Sequence, residues 1–175
     1  MSRSKIILFL PLFAAMSLAA FGQTSTPLEA VRSFYQFDRS HSDVLSKATI
    51  EARRKWLSPT LYRLFQNELR RQNAYLKKYP TNKPYFGDGL SFTPIDETCG
   101  KGGKGAGKRL TFREADQGLK TARISAIFAF PKPCTDPDTT IYTLKLIKVK
   151  SDWLIDNVYY DGDSNLAADL RRKEY

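Results

Sequence analysis

The apolar residues of this chain follow a helical period in its first half and an alternating period in its second half. The strongest helical signal covers residues 59–79, from a cap at Ser58 to the break at Pro80. Its apolar face consists of Leu61, Leu64, Phe65, Leu69, Leu76 and Tyr79. We therefore expect a long amphipathic helix whose apolar face lies in the core, with Leu69 near its middle.

Three shorter helices are also predicted. Thr26 and Glu29 have the spacing of a capping box, and the proline between them suits a first helical turn, so a helix should begin here and end near Arg39. Residues 49–56 form the second short helix, and residues 165–171 form a closing helix.

From residue 84 onward the pattern changes to alternation, which predicts antiparallel strands. The clearest strand, 121–130, directs one set of side chains to a single face: Ala122, Ile124, Ala126, Phe128 and Phe130. Its partner is expected at 109–115, and a hairpin is expected from 141–150 and 153–160. The apolar residues of the first hairpin strand change face at Leu146-Ile147, which indicates a bulge or a strong bend there.

Helices followed by antiparallel strands are the order of an α+β fold. The long helix has to bury its apolar face on the sheet, and a bent sheet surrounds such a helix better than a flat one. We therefore expect a cone or half-open roll. No internal repeat or linker interrupts residues 23–175, so they should form a single domain.

The first residues have the organisation of an export signal. Arg3 and Lys5 give a positive start, an uncharged apolar run follows, and residues 20–22 place small side chains where a signal peptidase reads them. Pro11 and the short apolar run argue against a retained membrane helix. We expect residues 1–22 to be removed, which leaves no transmembrane segment and a location in the periplasm, with the extracellular space as the alternative. A buried N-terminal helix is the competing interpretation of the segment.

Composition adds a charge argument. The chain has a formal charge of +10 and stays basic without Arg3 and Lys5, while 42% apolar and 13% aromatic residues agree with a packed domain. A basic balance favours anionic partners. Because an exported protein does not meet nucleic acid, acidic proteins, anionic lipid headgroups and cell-wall polymers remain as candidate partners.

The chain has two cysteines, Cys99 and Cys134. An exported chain with two cysteines most simply forms one disulfide. The alternatives are a metal site or a redox pair, but the thiols lack C-x-x-C spacing and His41 is the single histidine. The sequence therefore predicts a disulfide and no metal or cofactor.

Three segments of this sequence resemble a known family: VRSFY at 31–35, LSPTL at 57–61 and WLIDNVY at 153–159. They are similar to an exported bacterial group, domain of unknown function 3828, placed among the nuclear transport factor 2-like folds. The resemblance covers most of the chain from about Pro27 to Leu170. It implies a nuclear transport factor 2-like cone, in which a curved antiparallel sheet wraps around the long helix, and it brings no catalytic residues. The glycine-rich segment departs from the family pattern.

That glycine-rich segment, 100–108, has the spacing of a phosphate-binding loop, with Gly102, Gly107 and Lys108 in the expected places. The chemistry also needs a Ser or Thr next, to hold magnesium, and a position between a strand and a helix. Here Arg109 follows, and the segment lies between strands. We interpret it as a flexible, basic connection.

The polar side of the long helix carries a row of cations with one carboxylate, Glu68, between residues 60 and 80. We call this row the basic strip; it consists of Arg63, Arg70, Arg71, Lys77 and Lys78. Residues spaced by seven project from the same side of a helix, so the strip is a candidate docking face for an acidic partner. The alternative is an ordinary solvated face.

A cone can also hold a ligand at its open end. A general base there would be a carboxylate with a raised pKa in an apolar pocket, and Asp156 with Tyr159 is the candidate pair. In the alternative, Asp156 lies at the sheet surface or caps a loop and Tyr159 lies in the core or at the rim. Trp56 and Trp153 are expected in the core, and His41 is expected at the surface.

The sequence therefore predicts an exported, disulfide-linked protein that binds rather than catalyses. It would cap another protein, as an adaptor or immunity-type protein does, or dock an anionic component of the envelope. The rival hypothesis is a small-molecule binder or isomerase-like enzyme that uses the cone interior. A hollow cone would favour the rival, and a cone filled by side chains would favour the binding module.

Overall fold

The computed structural model describes residues 26–94, 108–130, 139–161 and 164–172. The predicted signal segment, both cysteines and all of the glycine-rich segment except Lys108 lie outside these residues. Helices come first: α1 (Pro27–Asp38), α2 (Lys47–Arg53), a 3-10 turn (Arg54–Trp56) and α3 (Pro59–Lys78). The strands follow, with a last short helix: β1 (Arg109–Gln117), β2 (Thr121–Ala129), β3 (Thr139–Val149), β4 (Asp152–Asp161), β5 (Ser164–Asn165) and α4 (Leu166–Asp169).

The helices begin where the sequence places their caps. The Glu29 N–H donates to Thr26 Oγ1 at 3.2 Å and the Thr26 N–H donates to Glu29 Oε2 at 2.8 Å, which completes the predicted capping box of α1. Ser58 caps α3 by accepting a hydrogen bond from the Leu61 N–H at 3.0 Å. The observed ends differ from the predicted ones by at most two residues when the predicted helix 49–56 is compared with α2 and the 3-10 turn together, and the short strand β5 is not among the predicted elements.

The strands form one curved antiparallel sheet in chain order, from β1 to β5. The inner face of β2 is the predicted one, since Ala122, Ile124, Ala126 and Phe128 are all buried. The described residues therefore have the α+β architecture that the order of elements predicts.

The irregularity predicted for the hairpin lies in the other strand. Lys145 pairs with Asn157 and Leu146 pairs with Ile155, so Asp156 in β4 is the extra residue. β3 keeps its alternation, with Leu144 and Leu146 both fully buried, and the predicted change of face at Leu146-Ile147 is wrong. A bulge in β4 bends the hairpin and lets both Ile155 and Val158, three positions apart, be buried.

The helix that lies across the sheet is α1 rather than the longer α3. α1 contacts β1, β2 and β4, whereas the main contact of α3 with the sheet is at β4. Tyr35 of α1 has its ring centroid 5.7 Å from that of Phe112 and 5.8 Å from that of Phe128. A short helix with two adjacent aromatic side chains, Phe34 and Tyr35, thus occupies the centre of the sheet face.

The buried face of α3 is partly polar. It contains Leu61 and Phe65, as predicted, and then Glu68 and Gln72. Leu69, which is predicted to lie in the core, is only partly buried and packs against the core, and Tyr79 of the predicted apolar face is exposed. Glu68 and Gln72 follow Phe65 at helical spacing and therefore lie on the same face of the helix. Glu68 can be buried because arginine side chains neutralise its carboxylate, as described below.

The predictions for the two tryptophans and the histidine are confirmed. Trp56 and Trp153 are buried, and His41 is exposed with its ring stacked on Phe37 at a centroid distance of 3.7 Å. A helix long and apolar enough to cross a membrane is absent from the described residues.

The middle of the sheet face is filled by the aromatic cluster around Phe34 and Phe92, whose ring centroids are 4.9 Å apart.

Candidate functional site

Four members of the basic strip are exposed on α3: Arg63, Arg70, Lys77 and Lys78. Arg63 and Lys77 are fourteen residues apart on this helix, so the strip is about 21 Å long at the helical rise. Arg70 donates a hydrogen bond to Asn67 Oδ1 at 2.6 Å, and the Lys78 ammonium lies 5.1 Å from the Tyr79 ring centroid. No carboxylate of the described residues forms an ion pair with these four cations.

Arg71, the fifth member, belongs to an internal network instead. Its guanidinium pairs with Glu68, which is fully buried, and donates to the Leu170 carbonyl at 2.7 Å and to the Arg172 carbonyl. The Arg172 guanidinium pairs with the other oxygen of Glu68 at 2.6 Å. The strip that faces solvent therefore has four cations rather than five.

This network also anchors the C-terminal part of the described chain. Glu68 of α3 joins residues 170–172 through two arginines, and the Arg172 guanidinium carbon lies 3.6 Å from the Tyr85 ring centroid. A buried carboxylate needs such partners, because an unpaired one would be strongly disfavoured inside the protein. The spacing of charges along α3 identifies Glu68 as the lone acid of the helix but does not show that it is buried.

A half-open cavity of about 490 Å³ lies at one end of the sheet. Its walls come from the segment after α1, the segment after α3, strands β3 and β4, and α4. We call it the tyrosine cavity; it is lined by Asp43, Tyr85, Asp88, Gly89, Ser91, Thr93, Pro94, Tyr142, Tyr160 and Asp169. The inner face of the sheet is thus filled in its middle and open at one end.

The tyrosines of the cavity are neutral hydrogen-bonding groups. The Tyr160 hydroxyl donates to Asp169, and burial together with this bond raises the pKa of Tyr160 far above its usual range. Burial is also the main cause of the raised pKa of Tyr85, to which the Asp169 carboxylate adds, and burial raises the pKa of Tyr142. The Tyr142 and Tyr160 ring centroids are 5.5 Å apart, so two aromatic side chains form one wall.

Asp43 approaches the cavity over a glycine. A Cβ atom at Gly89 would lie 2.4 Å from Asp43 Oδ2, and Gly89 has a φ of +124°. Glycine is therefore required here both for space and for backbone conformation. Ser91, another residue of the cavity wall, also has a positive φ, of 56°. The segment after α3 follows a path that brings these wall residues together.

The predicted pair Asp156 and Tyr159 does not line this cavity. Asp156 is the bulge residue of β4, and its carboxylate accepts a hydrogen bond from Ser58 Oγ at 2.8 Å and lies 3.4 Å from the Lys145 ammonium. It therefore holds the N-cap of α3 against the sheet; the alternative prediction placed Asp156 at the sheet surface or at the cap of a loop. Tyr159 is half-buried on the same strand.

The other predicted site residues give no further site. Cys99 and Cys134 lie outside the described residues, and so does the glycine-rich segment up to Gly107. Lys108 is described, and its ammonium lies 3.2 Å from Thr140 Oγ1 and 5.2 Å from the Phe130 ring centroid. Among the described residues no group of His, Cys, Asp and Glu side chains has the arrangement of a metal site.

The comparisons with known proteins add no relative. No family model matches the chain, no curated protein is significantly similar to it, and no solved structure is significantly similar to its fold. The function has to be inferred from the geometry of this protein itself.

Proposed function

We propose that this protein is a non-catalytic binding module, of the adaptor or immunity type, that docks an acidic partner through the exposed part of the basic strip. The observation that carries the proposal is the set of four cations, Arg63, Arg70, Lys77 and Lys78, which lie exposed on one helix without a carboxylate partner among the described residues. A local positive potential of this kind accelerates association with acidic surfaces and orients the partner.

The helix that carries the strip is held rigidly at two places, which supports a docking role. Near its N-terminus Ser58 bonds both the helix and Asp156 of the sheet, and in its second half Glu68 is bound by Arg71 and Arg172. A preorganised surface loses less conformational entropy on binding than a mobile one. The backbone of the strip is therefore ready to receive a partner without rearrangement.

Between the two kinds of anionic partner, an acidic protein fits better than a lipid surface. Helices that bind membranes insert an apolar face into the lipid. The apolar face of α3 is packed in the core through Leu61 and Phe65, so only charge remains available to a membrane. We therefore propose an acidic protein surface as the partner and treat the lipid as an outcome of the test.

The wider setting is also proposed. The curved antiparallel sheet with α1 across its inner face supports a nuclear transport factor 2-like cone, and the predicted N-terminal signal supports export to the periplasm or beyond. Intact mass of protein from its native envelope should give a chain that starts at Gln23. The same sample, unfolded and alkylated without reductant, should show no modified thiol, because Cys99 and Cys134 form a disulfide in our proposal. A full-length cytosolic chain would overturn export, and two alkylated thiols would overturn the bridge.

The docking proposal is tested by charge reversal with a matched control. The variant Arg63→Glu, Arg70→Glu and Lys77→Glu changes the strip, and Arg39→Glu, Arg113→Glu and Lys120→Glu changes the net charge equally at exposed positions elsewhere. The strip variant should fold normally and lose its partner in pull-downs from envelope extract, whereas the control variant should keep it. The interaction should also weaken from low to physiological salt, because ions screen surface charges.

Two results would contradict the proposal. If the strip variant retains every partner, the strip is an ordinary solvated face. If the wild-type protein binds vesicles of anionic lipid as strongly as it binds protein from the extract, and the strip variant loses the vesicles, the partner is the lipid surface and not an acidic protein.

A further inference from the structure

The tyrosine cavity points to a second function, independent of the basic strip. We infer that this cavity binds a small organic cation with a primary ammonium group. Its volume of about 490 Å³ is within the range of small-molecule sites, roughly 300–1,000 Å³. The hydrogen-bonding groups of the wall that are still available to a ligand determine which ligand class fits.

The wall offers acceptors rather than donors. Three lining residues are aspartates, three are tyrosines, and no Lys, Arg or His side chain lines the cavity among the described residues. The Tyr160 hydroxyl already donates its proton to Asp169, and the Tyr85 hydroxyl interacts with the same carboxylate. Both phenol oxygens can still accept a hydrogen bond. An ammonium group, which has three donors and no acceptor, satisfies such a wall, and an anion does not.

The cations next to the cavity already have partners. Lys83 pairs with the wall residue Asp88. Arg172 lies over the ring of the wall residue Tyr85 and pairs with Glu68, and Lys108 lies beside Thr140. Asp43 has no ion pair or hydrogen bond through its carboxylate within the described part of the chain, and this carboxylate lies against Gly89 in the cavity wall. Asp43 is therefore the counter-ion that we assign to the ammonium group.

The aromatic wall supports the same ligand class. Tyr142 and Tyr160 are half-buried with their ring centroids 5.5 Å apart, and their faces attract a cation as well as the apolar part of an amine. The Tyr142 hydroxyl has no hydrogen-bond partner among the described residues, which leaves it for the ligand. The described residues that line the cavity include three carboxylates and no cation, whereas the whole protein is basic, so this local excess of acid does not follow from the composition.

The test uses benzylamine, which is a cation at neutral pH, and benzyl alcohol, its neutral counterpart of nearly the same shape. Calorimetric titration into the wild-type protein should show benzylamine binding about tenfold or more tightly than benzyl alcohol. Asp43→Asn, which keeps the side-chain shape, should weaken benzylamine binding about fivefold and leave benzyl alcohol unchanged. Tyr142→Phe should weaken it less. Asp116→Asn, an equal charge change on the exposed edge strand β1, should have no effect.

Three results would overturn the inference. Equal binding of the amine and the alcohol would mean that the wall recognises only the ring. Equal binding to the wild type and to Asp43→Asn would place the cation elsewhere. Absence of benzylamine binding at about 10 mM, where even a weak specific site is half filled, would exclude this ligand class. None of these results depends on the basic strip, so the docking proposal stands or falls separately.

Discussion

Arg70 and Arg71 are neighbours in the sequence, and they belong to two different regions of the molecule. Arg70 lies on the water-facing side of α3, with Asn67 as its hydrogen-bond partner. Arg71 lies against the C-terminal residues of the described chain and pairs with the buried Glu68. A step of one residue turns a helix by about 100°, which is enough to move a side chain from solvent into an internal network.

The difference shows that a row of like charges on a helix need not be one surface. A single buried carboxylate recruits the cations that can reach it, because burial of an unpaired charge is costly. Arg71 and Arg172 are recruited by Glu68, whereas the four outer cations of the strip are left to interact with solvent or with a partner. The internal region supports the fold, and the external region is available for function.

The largest expected effect comes from removing the acid at the centre of the internal region. Glu68→Ala leaves two arginines partly buried without their carboxylate, and it should lower the free energy of unfolding by about 3–5 kcal/mol. Urea denaturation measures this. Asp88→Ala, which removes an exposed partner of Lys83, is the control and should cost no more than about 1 kcal/mol. Equal losses in the two variants would show that Glu68 is not the centre of a buried network.

The apolar half of α3 gives the next largest effect. Leu61 is fully buried, so Leu61→Ala should cost about 2–5 kcal/mol in the same measurement. Leu69 is only partly buried, and Leu69→Ala should cost about 1 kcal/mol, because less apolar surface returns to water. If Leu69→Ala were the more damaging of the two, the buried face of α3 would be centred on the apolar stripe and not on Glu68.

The smallest effects compare the two neighbouring arginines directly. Arg71→Ala should cost about 1–3 kcal/mol, since Glu68 and two backbone carbonyls lose a charged donor while Arg172 keeps Glu68 paired. Arg70→Ala should change the free energy of unfolding by no more than about 0.5 kcal/mol. Thermal or urea unfolding of both variants measures the loss in the free energy of unfolding. Similar losses in the two variants would contradict the division of α3 into two regions.

Much of the local structure could be predicted from the sequence, because it depends on residues close together in the chain. The capping box of α1, the Ser58 cap of α3 and the inner face of β2 are patterns of two to ten neighbouring residues. The bulge was predicted for the hairpin but in the wrong strand. An extra residue in either strand changes the apolar pattern of the pair. Only the two successive pairs, Lys145 with Asn157 and Leu146 with Ile155, show that β4 holds it.

The candidate sites divide in the same way. The basic strip follows from helical spacing alone, and four of its five cations are exposed as a docking face requires. The tyrosine cavity was missed, because its wall combines Asp43, residues 85–94, Tyr142, Tyr160 and Asp169, which share no sequence pattern. The segment NKPYFGDGL, with its two glycines before a buried leucine, is the signal that could have indicated a specially shaped loop.

By itself the sequence determined the helices, the strands, the α+β order and the basic character of α3. Periodicity and capping depend on residues that are close together in the chain. The tertiary structure alone decided which charges are internal and which side chains share a cavity. Those outcomes depend on how distant segments pack: Glu68 meets Arg172, and Asp43 meets Gly89, only after the sheet and helices have closed on each other. Burial then sets the energetic importance of each charge, and burial is a property of the whole fold.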